Sequence, residues 1–96
     1  MDQKQTYGRP HPGKSVKVAY TGTAGTTTAL PETCDAVRLV STTDCFIEIS
    51  AAGTAAVADT GLYLVALLPE YFQAPPNAKV SAIQVSAGGT LYATPM

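Results

Sequence analysis

The residues that most often carry out chemistry are few in this 96-residue chain, and their spacing does not suit catalysis. The single histidine, His11, lies between Pro10 and Pro12, where neither an orienting partner nor a water-poor pocket is expected. Cys34 and Cys45 form no C-x-x-C pair and lack the further ligands that a structural zinc site requires. We therefore predict that the protein is not an enzyme and that it uses no metal or other cofactor.

The acidic residues and glycines lead to the same expectation. The carboxylates of residues 18–96 are isolated, most of them fall in predicted turns, and no aromatic-rich segment flanks them to form a sugar-cleaving cleft. The glycines have neither the spacing of a phosphate-binding loop nor a helix after them. We expect the turn carboxylates to be solvated.

The two cysteines are expected to be structural. The N-terminus is polar and no stretch approaches the roughly 18 apolar residues of a membrane span. We therefore expect the chain to fold where it is made, in the cytoplasm, without a membrane partner. Thiols stay reduced there, so we predict free cysteines that act as small hydrophobic side chains.

Alternating apolar and polar residues dominate the chain from position 15 onward, and this two-residue period predicts strands. No window supports a long amphipathic helix. The predicted strands are Ser15–Tyr20, Thr26–Leu30, Ala36–Ser41, Cys45–Ser50, Leu62–Leu67, Tyr71–Ala74, Lys79–Ser86 and Thr90–Thr94.

Short strands at spacings of about 8–12 residues are typical of an antiparallel sandwich or barrel. We predict an all-β, small antiparallel β-sandwich over residues 15–96, with jelly-roll and immunoglobulin-like arrangements both open. The strands on either side of Thr42–Asp44, and those on either side of Ala87–Gly89, are expected to form hairpins. The apolar run Leu62–Leu67 is expected to be the most buried strand, with Leu64 at its centre.

Residues 1–14 differ from the rest and predict an extended basic N-terminal arm. Residues 1–17 carry four cations against Asp2, a net charge of +3, whereas residues 18–96 carry two cations against six acids, a net charge of −4. Such a segment becomes ordered only when a partner supplies contacts. The residues predicted to contact a neighbouring protein chain are Lys4, Tyr7, Arg9, Lys14 and Lys17. The same residues could bind phosphates, but the acidic body argues against a nucleic-acid partner.

The low charge of the chain indicates a surface that is covered in use. Charged residues make up 14%, against a globular norm of roughly 25%. Many short strands with few charges at their edges would be an aggregation hazard in a free monomer. We therefore expect a homo-oligomer or a component of a larger lattice.

Several segments from Ala36 to the C-terminus together resemble a group of small structural proteins of tailed bacteriophages. The resemblance runs through Ala36–Ser41, Cys45–Ile49, Gly61–Val65, Glu70–Phe72 and the closing stretch Ile83–Leu91. It implies a virion protein, made in the host cytoplasm, that decorates and cements the head by binding major capsid protein subunits. The alternatives are a neck, tail or fibre-attachment component, and a receptor- or carbohydrate-binding module that uses Tyr63, Tyr71 and Tyr92.

Overall fold

The computed structural model describes residues 15–31 and 35–96, and it contains eight strands over these ranges. No helix in the described ranges is long and apolar enough to cross a membrane. The strands are β1 (Val16–Tyr20), β2 (Gly25–Thr26), β3 (Ala36–Ser41), β4 (Cys45–Ser50), β5 (Leu62–Leu64), β6 (Glu70–Gln73), β7 (Lys79–Gln84) and β8 (Gly89–Pro95). Seven of the predicted strands are present with ends that shift by a few residues, whereas the predicted strand Thr26–Leu30 shares only Thr26 with β2. The predicted arm, residues 1–14, and Cys34 lie outside the described residues.

The strands form two four-stranded antiparallel sheets, in the orders β1-β8-β3-β6 and β2-β7-β4-β5. We refer to them as sheet A and sheet B. The chain pairs its first half with its second half in reverse order: β1 with β8, β2 with β7, β3 with β6 and β4 with β5. This is the strand order of a jelly roll, in which one long antiparallel hairpin is wrapped into two facing sheets. The predicted β-sandwich is confirmed.

Both predicted hairpins are wrong. β3 lies in sheet A and β4 in sheet B, and the same division separates β8 from β7. The connections 42–44 and 85–88 therefore cross from one sheet to the other. A short polar turn between two strands of alternating pattern has the same sequence whether it forms a hairpin within one sheet or crosses between the sheets. Both kinds of connection need only a reversal of the chain.

The turns at this end of the sandwich are joined by hydroxyl groups. The Tyr20 hydroxyl donates to the Thr43 carbonyl oxygen at 2.7 Å, and Thr43 Oγ1 donates to the Ala87 carbonyl oxygen at 3.0 Å. Tyr20 thus links β1 to the β3–β4 connection, which is in turn bonded to the β7–β8 connection. Burial raises the pKa of the Tyr20 hydroxyl, so the group stays protonated and able to donate.

The core lies between the sheets and is built from alternate residues of nearly every strand. β5 departs from the prediction. The strand ends at Leu64, and although Leu64 is fully buried, Leu62 is 54% exposed and Leu67, beyond the strand, is 74% exposed. An uninterrupted apolar run suits a strand covered on both faces, but β5 is an edge strand and only its last residue, Leu64, is enclosed.

One side of the sandwich is closed and the other is open. At the closed side β1 packs against β2, and Gly25 approaches the Ala19 carbonyl oxygen so closely that a Cβ atom would not fit. β5 and β6 are the edge strands opposite β2 and β1, respectively. They are joined by residues 65–69, so the second side of the sandwich consists of two short edges and the segment between them.

Two substitutions in β5 test this arrangement. We expect Leu64→Ala to lower the free energy of unfolding by about 2–5 kcal/mol, because it leaves a cavity in the core. Leu62→Ala is the matched control in the same strand and should change it by no more than about 0.5 kcal/mol. Urea denaturation followed by circular dichroism measures both. Equal losses for the two variants would contradict the exposed position of Leu62.

Candidate protein-contact surface

The open side of the sandwich carries a concentration of exposed apolar side chains. Of the nine exposed large hydrophobic residues among those described, six lie in residues 62–71, which we call the β5–β6 side. The six are Leu62, Tyr63, Val65, Leu67, Leu68 and Tyr71. They are 43–74% exposed and lie on or between two edge strands, with Tyr63 on the outer face of sheet B and Tyr71 on the outer face of sheet A. Clustered exposed apolar residues mark interaction sites more often than singly exposed ones do.

Asp44 is hydrogen-bonded to two residues of the β5–β6 side. Its Oδ1 accepts a hydrogen bond from the Ala66 amide at 2.8 Å, and its Oδ2 accepts one from the Tyr63 hydroxyl at 2.7 Å. The Tyr63 ring also meets the Phe46 ring edge to face, with centroids 5.4 Å apart. The expectation that Asp44 is merely solvated is therefore wrong, because its carboxylate positions the segment after β5.

These bonds shift the titration of both groups. The pKa of the Asp44 carboxyl is below its ordinary value, because the Ala66 amide and then the Tyr63 hydroxyl donate to its charged form. The pKa of the Tyr63 hydroxyl is above its ordinary value, since the protonated hydroxyl donates a hydrogen bond to Asp44. The contact is thus strongest with Asp44 ionised and Tyr63 protonated.

Leu67 occupies a backbone conformation that leucine rarely adopts. Its φ angle is +62°, at the third position of a turn in which the Leu68 amide approaches the Val65 carbonyl oxygen at 3.4 Å. Turns with positive φ at this position favour Gly or Asn. The conformation is enforced from the sandwich, where the Leu67 amide donates to the Ser41 carbonyl oxygen at 2.8 Å. A strained and 74% exposed leucine contributes little to folding, so this residue suits a contact with a partner.

Of the residues predicted to contact a neighbouring chain, the structure describes Lys17. It is exposed on β1, where its register partner is Tyr92 of β8, and it therefore lies across sheet A from β6. Lys4, Tyr7, Arg9 and Lys14 lie outside the described residues.

The three tyrosines considered for sugar binding do not share a face. Tyr71 and Tyr92 alternate with inward-facing neighbours on sheet A and so lie on its outer face, whereas Tyr63 lies on the outer face of sheet B. Each is between 42% and 48% exposed. The Tyr63 hydroxyl is already bonded to Asp44. A single aromatic platform for a sugar ring is not formed by these three side chains.

The chemical candidates described by the structure do not assemble into a reactive site. Cys45 is a free thiol that is fully buried, as predicted, and burial raises its pKa and disfavours the nucleophilic thiolate. Within residues 15–31 and 35–96, no three His, Cys, Asp or Glu side chains are grouped closely enough to hold a metal ion. His11 is outside these ranges.

Asp44 and Leu67 were not identified from the sequence as contact residues. Asp44 lies in a Thr-Thr-Asp turn, where an aspartate usually bonds backbone groups close to it in sequence. Its partners here are instead 19 and 22 residues away. Leu67 belongs to an apolar run that is typical of a core strand. Pro69 lies beyond the predicted end at Leu67, so the sequence carried no signal that the strand ends at Leu64.

Comparison with known proteins gives no match: no protein-family model, no curated protein and no solved structure is significantly similar to this chain.

The Asp44 contact predicts a dependence of local order on pH. A carboxyl whose folded-state pKa is lowered contributes stability above its unfolded pKa and loses it as the pH falls through the folded value. A tyrosine with a raised pKa contributes below its unfolded pKa and loses this as the pH rises through the folded value. We therefore expect residues 62–68 to be best ordered between about pH 4 and pH 10. Amide hydrogen exchange at Ala66 measures the acid limb, after correction for the intrinsic rate.

Asp44→Ala should abolish this acid dependence and speed exchange at Ala66 at neutral pH. Asp59→Asn, which removes the charge of an exposed loop carboxylate and tolerates the positive φ of this position, is the control and should leave exchange at Ala66 unchanged. An unaltered Ala66 rate in Asp44→Ala would show that the carboxylate does not hold the segment.

Leu67→Gly tests whether the leucine side chain at position 67 contributes to the stability of the fold. Glycine accepts the positive φ without strain, although it loses more backbone entropy on folding. We expect the free energy of unfolding to stay the same or rise by up to about 1 kcal/mol. Leu67→Ala is the control, because it removes the same side chain but keeps the backbone strain. Its free energy of unfolding should be lower than that of the glycine variant. Thermal unfolding shows which of the two variants is more stable.

Proposed function

We propose that this protein is a structural component of a bacteriophage virion, which decorates the head and stabilises it by binding major capsid protein subunits. The observation that carries the proposal is the β5–β6 side: an apolar surface, fixed by Asp44, that displays a strained leucine to solvent. A surface of this kind acts by contact and needs no turnover or cofactor.

The architecture is compatible with this role. Jelly rolls occur in viral capsid proteins, but also in lectins and cupins, so the fold provides an analogy and no assignment. The sequence resemblance to small virion proteins of tailed phages points to the first of these uses. The described residues add the contact surface through which such a protein would be built into a shell.

A surface of six exposed apolar residues suits repeated weak binding. One such contact is modest, but a head presents the same site on every capsid subunit, and a decorating protein stabilises the shell through the sum of these contacts.

Binding to heads tests the proposal. The purified protein is mixed with DNA-free heads of the phage that encodes it, and bound copies are counted by quantitative mass spectrometry after sedimentation. We expect about one copy per capsid subunit. A variant with Leu67→Ser and Leu68→Ser should bind at least about tenfold more weakly, since it loses two central apolar contacts. Tyr92→Ser, on the outer face of sheet A, is the control and should bind normally.

Particles that lack the protein should have a normal shell but rupture at lower temperature or milder osmotic shock. A few bound copies per particle would instead indicate a neck or tail component. Particles that are equally robust but fail to attach to cells would replace cementing by receptor binding.

A further inference from the structure

The outer face of sheet B is covered by the chain itself. Ser81 alternates with the core residues Val80 and Ala82 of β7 and so faces outward, yet it is fully buried. Its hydroxyl oxygen accepts a hydrogen bond at 2.9 Å from the amide of Ala56, the only buried residue of segment 51–61. This segment therefore lies over the outer face of sheet B.

The outer face of sheet A is more open and carries a line of alternating cations and tyrosines. Residues that are paired across antiparallel strands point to the same side of a sheet. Lys17 of β1 is paired with Tyr92 of β8, and Arg38 of β3 is paired with Tyr71 of β6. Because the strand order is β1-β8-β3-β6, the four side chains follow one another across the sheet as cation, ring, cation, ring. The first, second and fourth are exposed, and Arg38 is half-buried.

Neighbouring members of this line are close enough to contact one ligand. The Cβ atoms of directly paired residues are about 5 Å apart, and those of diagonal pairs are about 7–8 Å apart. Tyr92 and Arg38 form a diagonal pair, because Tyr92 is paired with Val40, two residues after Arg38. The Tyr92 ring therefore lies between two cations, Lys17 on one side and Arg38 on the other.

No acidic residue opposes these charges at the outward positions of the four strands of sheet A, all of which the structure describes. Glu70 of β6 is paired with the fully buried Leu39 and so points to the opposite side. Asp35 precedes β3 and is three residues from Arg38, which also gives it the opposite register. The net charge of residues 18–96 disfavours a nucleic-acid partner, but that value averages over both sheets and does not describe this face.

Alternating cations and rings are complementary to a single-stranded nucleic acid. Each base of such a strand lies between two phosphates, and proteins bind it by stacking bases on aromatic rings and pairing phosphates with Lys and Arg. Tyr92 between Lys17 and Arg38 repeats this order. Thr90 and Thr94 flank Tyr92 along β8, and threonine hydroxyls are common phosphate contacts.

We propose that the outer face of sheet A binds single-stranded nucleic acid without regard to its base sequence. Lys17 and Arg38 pair with the phosphates on either side of one nucleotide, whose base stacks on Tyr92, and the next base reaches Tyr71. This goes beyond the proposed function and uses a different face, with Tyr71 as the one residue shared with the β5–β6 side.

Two variants of Tyr92 test the stacking contact. Binding is measured at low salt by the fluorescence anisotropy of a labelled thymidine oligonucleotide of about twelve nucleotides. Tyr92→Ser removes the ring and should weaken binding by at least about fivefold. Tyr92→Phe keeps the ring and should bind within about twofold of the wild type. Circular dichroism checks that both variants are folded.

The dependence of binding on salt tests the two cations. Each phosphate contact with a single strand contributes about 0.7 to the slope of log K against log salt concentration. Lys17→Gln and Arg38→Gln should therefore each reduce the slope by about 0.7. Lys79→Gln removes a cation from sheet B, so it is the matched control and should leave the slope unchanged. The cations of residues 1–14 are present in every variant, and any contribution from them cancels.

The proposal is wrong if the wild type does not bind the oligonucleotide at low salt, or if Lys79→Gln reduces the slope as much as Lys17→Gln. Equal losses in Tyr92→Phe and Tyr92→Ser would exclude stacking. Equally tight binding of a duplex would mean contact with phosphates alone, and tighter binding of a sulfated polysaccharide would assign the face to a glycan. Head binding is tested independently, because the variant with Leu67→Ser and Leu68→Ser should bind the oligonucleotide normally.

Discussion

A sandwich of two open sheets has four edge strands, and the backbone groups along those edges must be paired, covered or kept too few to matter. In this protein the β1 and β2 edges close against each other, with Gly25 allowing the approach. The β5 and β6 edges are not closed in this way. The exposed apolar surface and the Asp44 contact both lie on the side that stays open.

The segment from β5 to β6 serves the core and the surface at once. Leu64 is fully buried, whereas Leu62, two residues earlier on the same edge strand, is half exposed. Asp44 then fixes the following turn through the Ala66 amide and the Tyr63 hydroxyl. A loose apolar segment would have to lose conformational entropy on binding, and this one is already ordered.

The sequence by itself determined the eight strands, because the alternation of side chains and the positions of turn residues are local properties of a few neighbouring residues. It also indicated the burial of Leu64 and Cys45. It did not distinguish hairpins from connections between sheets at 42–44 and 85–88, since both use the same turn chemistry. Only the tertiary structure decided which apolar residues are enclosed. Leu62, Leu64 and Leu67 are chemically alike, and their different exposures depend on strand partners that are distant in the chain.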